Sequence, residues 1–375
     1  MRVVAGIGGA TLIALMLAEF FVTFMLPRRV KRDPRIARGL LKLLWWPWRA
    51  LARRLEPSSA DTWLGFFGPL ALLTELVVWT LGLIAGFALV EWAAVGGSFG
   101  HRILFSSGLF VSAEGVSGST LVHVIALWEA ATALGVLFIV IGYMPAVYGA
   151  FSRRETAVSQ LATRAGSPPA AGVLLHRVAG QERWRELERD LRAWEEWAAE
   201  LMETHLSYPL LGFYRSQHVN QNWLAALTAM VDVAAFVGAI KGEGKSEAAE
   251  ITFDIGRHAL SDLAHQYQVD PGRVDRLSDD EFDELYGLIA GAMTHPVDRE
   301  ETRRRLDELR QVYEPNAQGL ANFLALDLPP WLPSERGPDG SMRKPRVRVG
   351  SDRGDLVGQP ARSQISEGDG FEDGA

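Results

Sequence analysis

Three long apolar runs dominate the first part of the chain. They cover residues 5–26, 63–92 and 121–148. At about 1.5 Å per helical residue, each run can cross the roughly 30 Å hydrocarbon core of a bilayer. The first run is too long for the apolar core of a signal peptide, so we interpret it as a retained anchor. The pattern predicts a membrane domain, residues 1–150, with three transmembrane helices.

Beyond residue 150 the pattern changes to amphipathic helices. Apolar residues recur at three- and four-residue spacing from Trp184 to Leu201, which predicts a long helix packed either on its own domain or on another subunit. Similar patterns predict helices over 247–268, 279–293 and 298–312. The fold class is therefore all-α.

Two stretches define the rest of this second part. Residues 223–240 are nearly uncharged, with Asp232 in the middle, and fit either a buried core helix, which the central acid favours, or a fourth span. After Pro333 few residues are apolar, so the tail 333–375 is predicted to be disordered. We accordingly predict a helical cytosolic domain over residues 151–332.

The loop between the second and third runs, residues 96–118, has the pattern of a re-entrant segment. Its apolar stretch, residues 102–111, is too short to cross a bilayer and is followed by Gly and Ser. Irregular backbone at membrane depth survives only where it is buried in protein or lines a water-filled cavity. The order helix, half-helix, turn, helix predicts a pore-like loop.

Positive charge predicts the orientation. Residues 28–54 hold ten Lys or Arg and only one acid, Asp33, and the third run ends at Arg153 and Arg154. The positive-inside rule places both regions in the cytoplasm and the N-terminus outside. Within the basic amphipathic segment, residues 28–56, Trp and Leu alternate with the basic residues. This fits either the headgroup interface of an anionic bilayer or a connector helix packed on the cytosolic domain.

Several motifs carry a resemblance to a known family. They are Leu104-Phe105-Ser106, Gly142-Tyr143-Met144-Pro145, Trp194-Glu195-Glu196-Trp197, His205-Leu206-Ser207-Tyr208-Pro209, Arg215-Ser216-Gln217-His218 and Trp223-Leu224-Ala225-Ala226-Leu227-Thr228. Over about residues 60–330 the chain resembles bacterial ion-channel-like proteins of the two-helix potassium-channel superfamily, with an extra N-terminal span. The resemblance implies a homotetramer in a bacterial inner membrane that conducts inorganic cations.

The stretch equivalent to the selectivity filter departs from the family pattern. A potassium filter stacks backbone carbonyls from a Thr-x-Gly-aromatic-Gly type strand. This chain has Ser112, Ala113, Glu114, Gly115 and Val116 there, with one glycine and no aromatic residue. Potassium selectivity is therefore not assigned. In a tetramer Glu114 would form a carboxylate ring that favours cations less selectively; alternatively, the stretch is an ordinary extracellular turn.

Acids inside the predicted spans are a second candidate site. Glu19, Glu75 and Glu129 each lie near the middle of a run, where an ionised carboxylate costs about 2.5 kcal/mol or more. They line a cation or proton path, or they are protonated and join helices by hydrogen bonds; Thr23, Thr74 and Thr132 are the hydroxyl partners considered. Gly142 and Pro145 are candidates for a gate in the third span.

The cytosolic part offers weaker candidates. His205, Arg215, Ser216 and His218 form either a ligand-binding cluster or a hydrogen-bonded interior. A row of Asp254, His258, Asp262 and His265 has the spacing of a metal site, but solvated helix faces often look the same. No catalytic or phosphate-binding motif occurs, so we predict no enzyme activity, no cofactor and no bound metal.

Composition argues against some partners and sites, and two alternatives remain for the function. The net charge of −7 argues against nucleic acid as a partner, and a chain without Cys has neither disulfides nor thiolate metal sites. The expected partners are the lipid bilayer and further copies of the chain. The first alternative is an ion-channel-like protein with a tetrameric cation pore. The second is a non-conducting membrane sensor or scaffold that acts through its cytosolic helical domain.

Overall fold

In the computed structural model, the described part of the chain comprises residues 1–24, 36–111, 119–179, 183–218, 220–242, 246–273, 275–293 and 295–333. All regular secondary structure in these ranges is helical, in agreement with the predicted all-α class. The helices are α1 (Arg2–Phe24), α2 (Ile36–Ala52), α3 (Pro57–Gly65), α4 (Phe67–Val95), α5 (Phe99–Val111), α6 (Thr120–Ala165), α7 (Ala171–Ala179), α8 (Trp184–Ser207), a 3-10 helix (Pro209–Phe213), α9 (Trp223–Lys241), α10 (Glu247–Tyr267), α11 (Asp279–Ala290) and α12 (Arg299–Leu324).

Four helical segments among the described residues are long and apolar enough to cross a membrane. They are α1, the nearly continuous α3–α4 segment Ser59–Val95, α6 and α9. The first three coincide with the predicted spans and are mostly exposed along their length. The fourth, α9, differs because all its residues except Gly238 and Lys241 are buried. Length and composition thus indicate a membrane protein.

Helices α1 and α4 pack closely along their length. A Cβ atom added to Gly9 would lie 2.6 Å from the Gly86 carbonyl oxygen, so the two backbones touch through glycine. On the same face, Gly82 lies against Met16. This is the close approach that small residues four apart allow between apolar helices.

Helix α5 turns back along α4. Gly96 and Gly97 have φ values of 80° and 86°, a left-handed conformation that glycine adopts readily, and they make the turn after α4. Ser106 of α5 then reaches the carbonyl of Ile84, about three turns back from the end of α4. Helix α5 has 13 residues, or about 20 Å, and is too short to cross a bilayer core.

Helix α6 continues far beyond the apolar run that predicted it. It comprises 46 residues, which is about 69 Å, and passes residue 150 without a break. Pro145 lies inside it and removes one backbone hydrogen-bond donor. The C-terminal part of α6 buries Arg154, Val158 and Leu161. The predicted boundary between two domains thus falls within one continuous helix.

The remaining helices form one packed body around α9. Helices α7, α8, α10 and α12 contact α9, together with the C-terminal part of α6. We call α7–α12, with the 3-10 helix, the helical body. The apolar stripe of α8, from Leu187 to Leu201, is buried against this body in the same chain. Helix α12 extends to Leu324, beyond the predicted end at residue 312, and it continues through Pro315.

Local sequence explains where several of these helices begin. Asn222 caps α9, because its side chain accepts a hydrogen bond from the backbone N–H of Ala225 at 2.7 Å. Ser278 and Glu281 form a capping box at α11. Asp298 accepts two backbone N–H groups at the start of α12.

Candidate functional site

The junction of α4, α5 and α6 contains a buried polar contact. Ser106 Oγ lies 3.1 Å from the Ile84 carbonyl oxygen and makes a short hydrogen bond with Glu129 Oε1. Ser106 and Glu129 are fully buried. A hydroxyl has one proton to donate, and a carbonyl oxygen can only accept. Both contacts are satisfied when Ser106 donates to Ile84 and a protonated Glu129 donates to Ser106.

This hydroxyl partner differs from those considered from sequence. Thr74 and Thr132 each donate to a carbonyl of their own helix, at Leu70 and Trp128. Ser106 fills the role instead, because α5 folds back between its neighbours. Sequence reasoning considered hydroxyls within the three spans, whereas Ser106 comes from the loop between them.

Glu91 is a further buried acid that sequence reasoning missed. Its side chain is fully buried, and neither carboxyl oxygen has a hydrogen-bond partner among the described residues. It is close enough to Glu129 and Arg102 to interact electrostatically with both. Glu91 lies at the end of the second apolar run rather than near its centre, so a search for mid-span acids passed over it.

Glu19 and Glu75 form a second, separate pair of acids. Both are buried, and their carboxyl groups interact electrostatically across α1 and α4. Along α4, an apolar cluster lies between Glu75 and Glu91 and so separates this pair from the Glu91–Glu129 pair. It is built from Met16, Phe20, Trp79 and Leu83. The predicted acids are therefore buried between helices and divided into two groups.

The candidate gate residues lie on an exposed face of α6. Gly142 and Pro145 are exposed, and a Cβ atom added to Gly142 would meet no atom within 4 Å. Helix α6 remains helical through both positions. Their predicted role as a gate thus stays a prediction.

Arg154 joins α6 to the helical body, and sequence reasoning did not select it. The residue is 3 % exposed, and its guanidinium donates to the carbonyls of Leu211 and Tyr214 at 2.8 and 2.9 Å. It also pairs with Glu155 at 2.9 Å. Burial lowers the pKa of Arg154, and the Glu155 carboxylate opposes this. The only sequence signal was a basic pair at the end of an apolar run, which served to predict orientation.

His205 is held in one state at this junction. It is fully buried; its Nδ1 lies 2.8 Å from the Leu201 carbonyl, and its Nε2 lies 3.3 Å from Arg154. Burial, followed by repulsion from Arg154, lowers the pKa of His205 to about 3. The ring is therefore neutral, with Nδ1–H donating to Leu201 and Nε2 accepting from Arg154.

The other residues of the predicted ligand cluster have different partners. Arg215 donates to the Leu324 carbonyl at 2.8 Å, and Ser216 donates to Glu155 at 3.2 Å. His218 is exposed. In the described part of the chain, His205 and Ser216 therefore meet through Arg154 and Glu155, whereas no contact links them to His218.

Two other candidates from the sequence gain no support from the described contacts. The filter-equivalent residues 112–116, with Glu114, lie outside the described residues, as do 28–35 of the basic segment and 334–375 of the tail. In the row with metal-like spacing, for which no metal was predicted, Asp254 pairs with Arg257 and His258 with Asp262, at 2.8 and 3.6 Å. No group of three potential metal ligands occurs among the described residues.

The geometry defines the class of protein only coarsely. Several apolar helices long enough to span a membrane are joined through α6 and Arg154 to a polar helical body. This is the architecture of a membrane protein with a large helical domain. No protein-family profile matches the chain, and no curated protein or solved structure is significantly similar to it.

Proposed function

We propose that the chain is one subunit of an ion-channel-like membrane protein that opens a cation path. In this proposal α1, α4 and α6 cross the bilayer, and α5 enters it from the outer side as a re-entrant half-helix. The N-terminus is outside, and the helical body is in the cytoplasm of a bacterial cell. The resemblance to the two-helix potassium-channel superfamily is part of the proposal, without potassium selectivity.

The depth reached by α5 carries the proposal. Ser106 is about 10 Å below the start of α5 and Ile84 about 16 Å below the end of α4, at 1.5 Å per residue. Glu129, its other partner, is about 14 Å below the start of α6. Three helices that begin or end at the same membrane surface thus meet at similar depth. A short helix at this depth is what a pore loop requires.

The exposed face of α6 supports assembly of several copies. Along the apolar run its exposed positions include small residues at helical spacing, Ala131, Gly142 and Ala146, beside the half-buried Gly135. Small residues on one face let membrane helices approach closely. We expect this face to meet α6 of neighbouring subunits around a shared axis, in a tetramer.

Ion flux tests the conduction itself. Purified protein reconstituted into liposomes should release a monovalent cation gradient under an applied voltage. Glu114→Gln should change the preference among cations, because it removes the proposed carboxylate ring. Flux that is absent at every voltage and osmotic gradient would exclude a channel. Unchanged ion preference would exclude the ring alone.

A serine pair tests the position of α5. Ser106→Ala removes the contacts to Ile84 and Glu129. We expect it to change the flux and to lower the free energy of unfolding by about 1–3 kcal/mol. Ser107→Ala is the matched control, because Ser107 donates only to Ile103 of its own helix at 2.7 Å. Equal effects of the two substitutions would contradict the proposed role of Ser106.

The lack of Cys makes disulfide cross-linking a clean test of assembly. Ala146→Cys should form cross-linked dimers under mild oxidation in membranes, because the proposed interface includes this face of α6. Val77→Cys, on the exposed face of α4, should remain monomeric under the same conditions. A protein that stays strictly monomeric would exclude a pore shared between subunits.

The second candidate is a non-conducting sensor or scaffold. The observation that favours it is the buried link made by Arg154, which ties α6 to the helical body through the carbonyls of Leu211 and Tyr214. This alternative predicts no flux from a well-folded, correctly inserted protein. A binding partner specific for the helical body would then identify the function.

A further inference from the structure

Helix α2 has one covered face and one open face. Trp45 is buried against the helical body, and its indole N–H donates to the Phe323 carbonyl at 2.8 Å. Leu43 and Trp46 point the other way and are 71 % and 77 % exposed. Nothing in the described part of the chain covers this second face, although it carries a tryptophan and a leucine.

A groove lies where α2 gives way to α3. It has a volume of about 440 Å³ and is lined by Leu55, Ser59, Thr62, Trp63 and Phe66. Ser59 and Thr62 carry hydroxyl groups, and the other lining side chains are largely apolar. A groove of this kind accepts a chain that is apolar at one end and polar at the other.

The groove continues the exposed apolar stripe of α4. From Phe66 the exposed residues follow at three- and four-residue spacing, as Leu70, Leu73, Val77 and Leu81. In the proposed membrane placement this stripe faces lipid. Ser59 and Thr62, which carry hydroxyl groups and precede this stripe in the chain, therefore lie at the depth of the cytosolic headgroups.

Three arginines shortly precede the groove in the chain, and Arg54 is next to Leu55 of its lining. Arg49, Arg53 and Arg54 are at the end of α2 and just after it, and no carboxylate pairs with them among the described residues. The Nε of Arg49 is buried without an acceptor. Burial, followed by repulsion from Arg53, lowers the pKa of Arg49. Arg53 and Arg54 are exposed, so an anion bound beside them can pair with both and relieve this repulsion.

We propose that this groove binds an anionic phospholipid of the cytosolic leaflet. An acyl chain lies along Phe66 and Leu70, and the lipid phosphate contacts Arg49, Arg53 and Arg54. The charge of the arginines and the continuity with the stripe of α4 favour a lipid over a second copy of the chain. This inference rests on the membrane placement of the proposed function, but not on ion conduction.

Competitive lipid binding tests the site. Delipidated protein in non-ionic detergent is titrated with phosphatidylglycerol or phosphatidylcholine, and bound lipid is counted by native mass spectrometry. We expect the wild type to prefer phosphatidylglycerol by at least about tenfold, since only this lipid has a net negative headgroup for the three arginines to pair with. The triple variant Arg49→Gln, Arg53→Gln, Arg54→Gln should lose this preference.

Two further variants separate the groove from general electrostatics. Arg185→Gln, Arg189→Gln, Arg192→Gln removes the same charge from the exposed surface of α8 and should leave the preference intact. Ser59→Trp fills the groove and should weaken binding of both lipids. Equal affinity of the wild type for the two lipids would overturn the proposal, and so would an equal loss in the α8 triple variant.

A third outcome would assign the surface to another occupant. If Trp46→Ala or Ser59→Trp changes the number of subunits in the complex while the lipid preference is unaltered, the face is a contact between copies and the lipid site is wrong. Conduction is not measured in any of these experiments. A channel without the lipid site and a lipid site without a channel therefore give different results.

Discussion

At the scale of single residues, the buried acid at the centre of the helical body belongs to a paired group. Asp232 is fully buried at the centre of α9 and accepts two hydrogen bonds from Arg276, at 2.6 and 2.9 Å. Tyr313 donates a third at 2.5 Å, and Glu314 pairs with the same guanidinium at 2.9 Å. Removal of one member of such a group leaves an uncompensated buried charge.

Asp232→Ala should strongly destabilise the helical body. We expect a loss of about 3–5 kcal/mol in the free energy of unfolding, because Arg276 loses its bidentate partner. Chemical denaturation of the purified protein measures it. Asp254→Ala, which breaks an exposed pair with Arg257, should change stability by less than about 1 kcal/mol. A similar small loss at Asp232 would contradict the buried network.

His205 should make stability depend on pH. Its pKa of about 3 in the folded protein is below its usual value of 6.5, so the unfolded chain takes up the proton first. The stabilisation is complete above about pH 6.5 and falls by about 1.4 kcal/mol per pH unit as the pH is lowered towards 3.

Substitution of this histidine isolates its share of the pH dependence. His205→Gln cannot titrate, so its melting temperature should fall less than that of the wild type between pH 7 and pH 5. His258→Gln, at an exposed position, is the matched control substitution. Identical slopes for wild type and His205→Gln would show that this ring does not stay neutral when buried.

At the scale of helices, the closest approach of α1 to α4 is a contact between glycines. Gly9→Leu should separate the two helices, because its Cβ would lie 2.6 Å from the Gly86 carbonyl oxygen and 2.8 Å from the Leu89 Cβ. Gly8→Leu is the matched control, since a Cβ there meets no atom within 4 Å. The free energy of unfolding, measured in detergent, should fall by about 1–3 kcal/mol for Gly9→Leu and should be nearly unchanged for Gly8→Leu. Comparable losses would contradict the observed face of α1.

At the scale of the whole molecule, burial of α9 determines the predicted topology. If α9 is a core helix, residues after it remain on the same side as residue 151. His101→Cys marks the proposed outer side and should react with a membrane-impermeant maleimide from outside intact cells. Arg304→Cys, exposed on α12, should react only in inverted vesicles. Labelling of both from outside would mean that α9 crosses the membrane.

The amount of the fold that sequence predicted depends on what each element contacts. Runs of apolar residues identified α1, α4 and α6, since helix length and apolar composition are local properties. The pattern could not show that α6 extends to Ala165, because its later part is amphipathic and becomes buried only on the helical body. For α2, the interpretation as a connector packed on the body holds for the face of Trp45, whereas Trp46 is exposed and the interfacial interpretation of its face stays a prediction.

The candidate sites divide in the same way. The residues Glu19, Glu75 and Glu129 were selected because an acid in an apolar run is costly wherever it lies. Their partners were decided by tertiary structure, since Ser106 is 23 residues from Glu129 and meets it only because α5 folds back. Glu91 and Arg154 were missed for this reason: burial made by other helices gives no local signal in sequence.

By itself, the sequence determined the all-helical class and the segments able to span a membrane, because both follow from local hydrophobic periodicity and length. The tertiary structure alone decided that α5 packs at depth against α4 and α6, and that α9, equally apolar, is enclosed by the helical body. Composition cannot distinguish these cases. A lipid-facing helix and a core helix are both apolar, and only their neighbours differ.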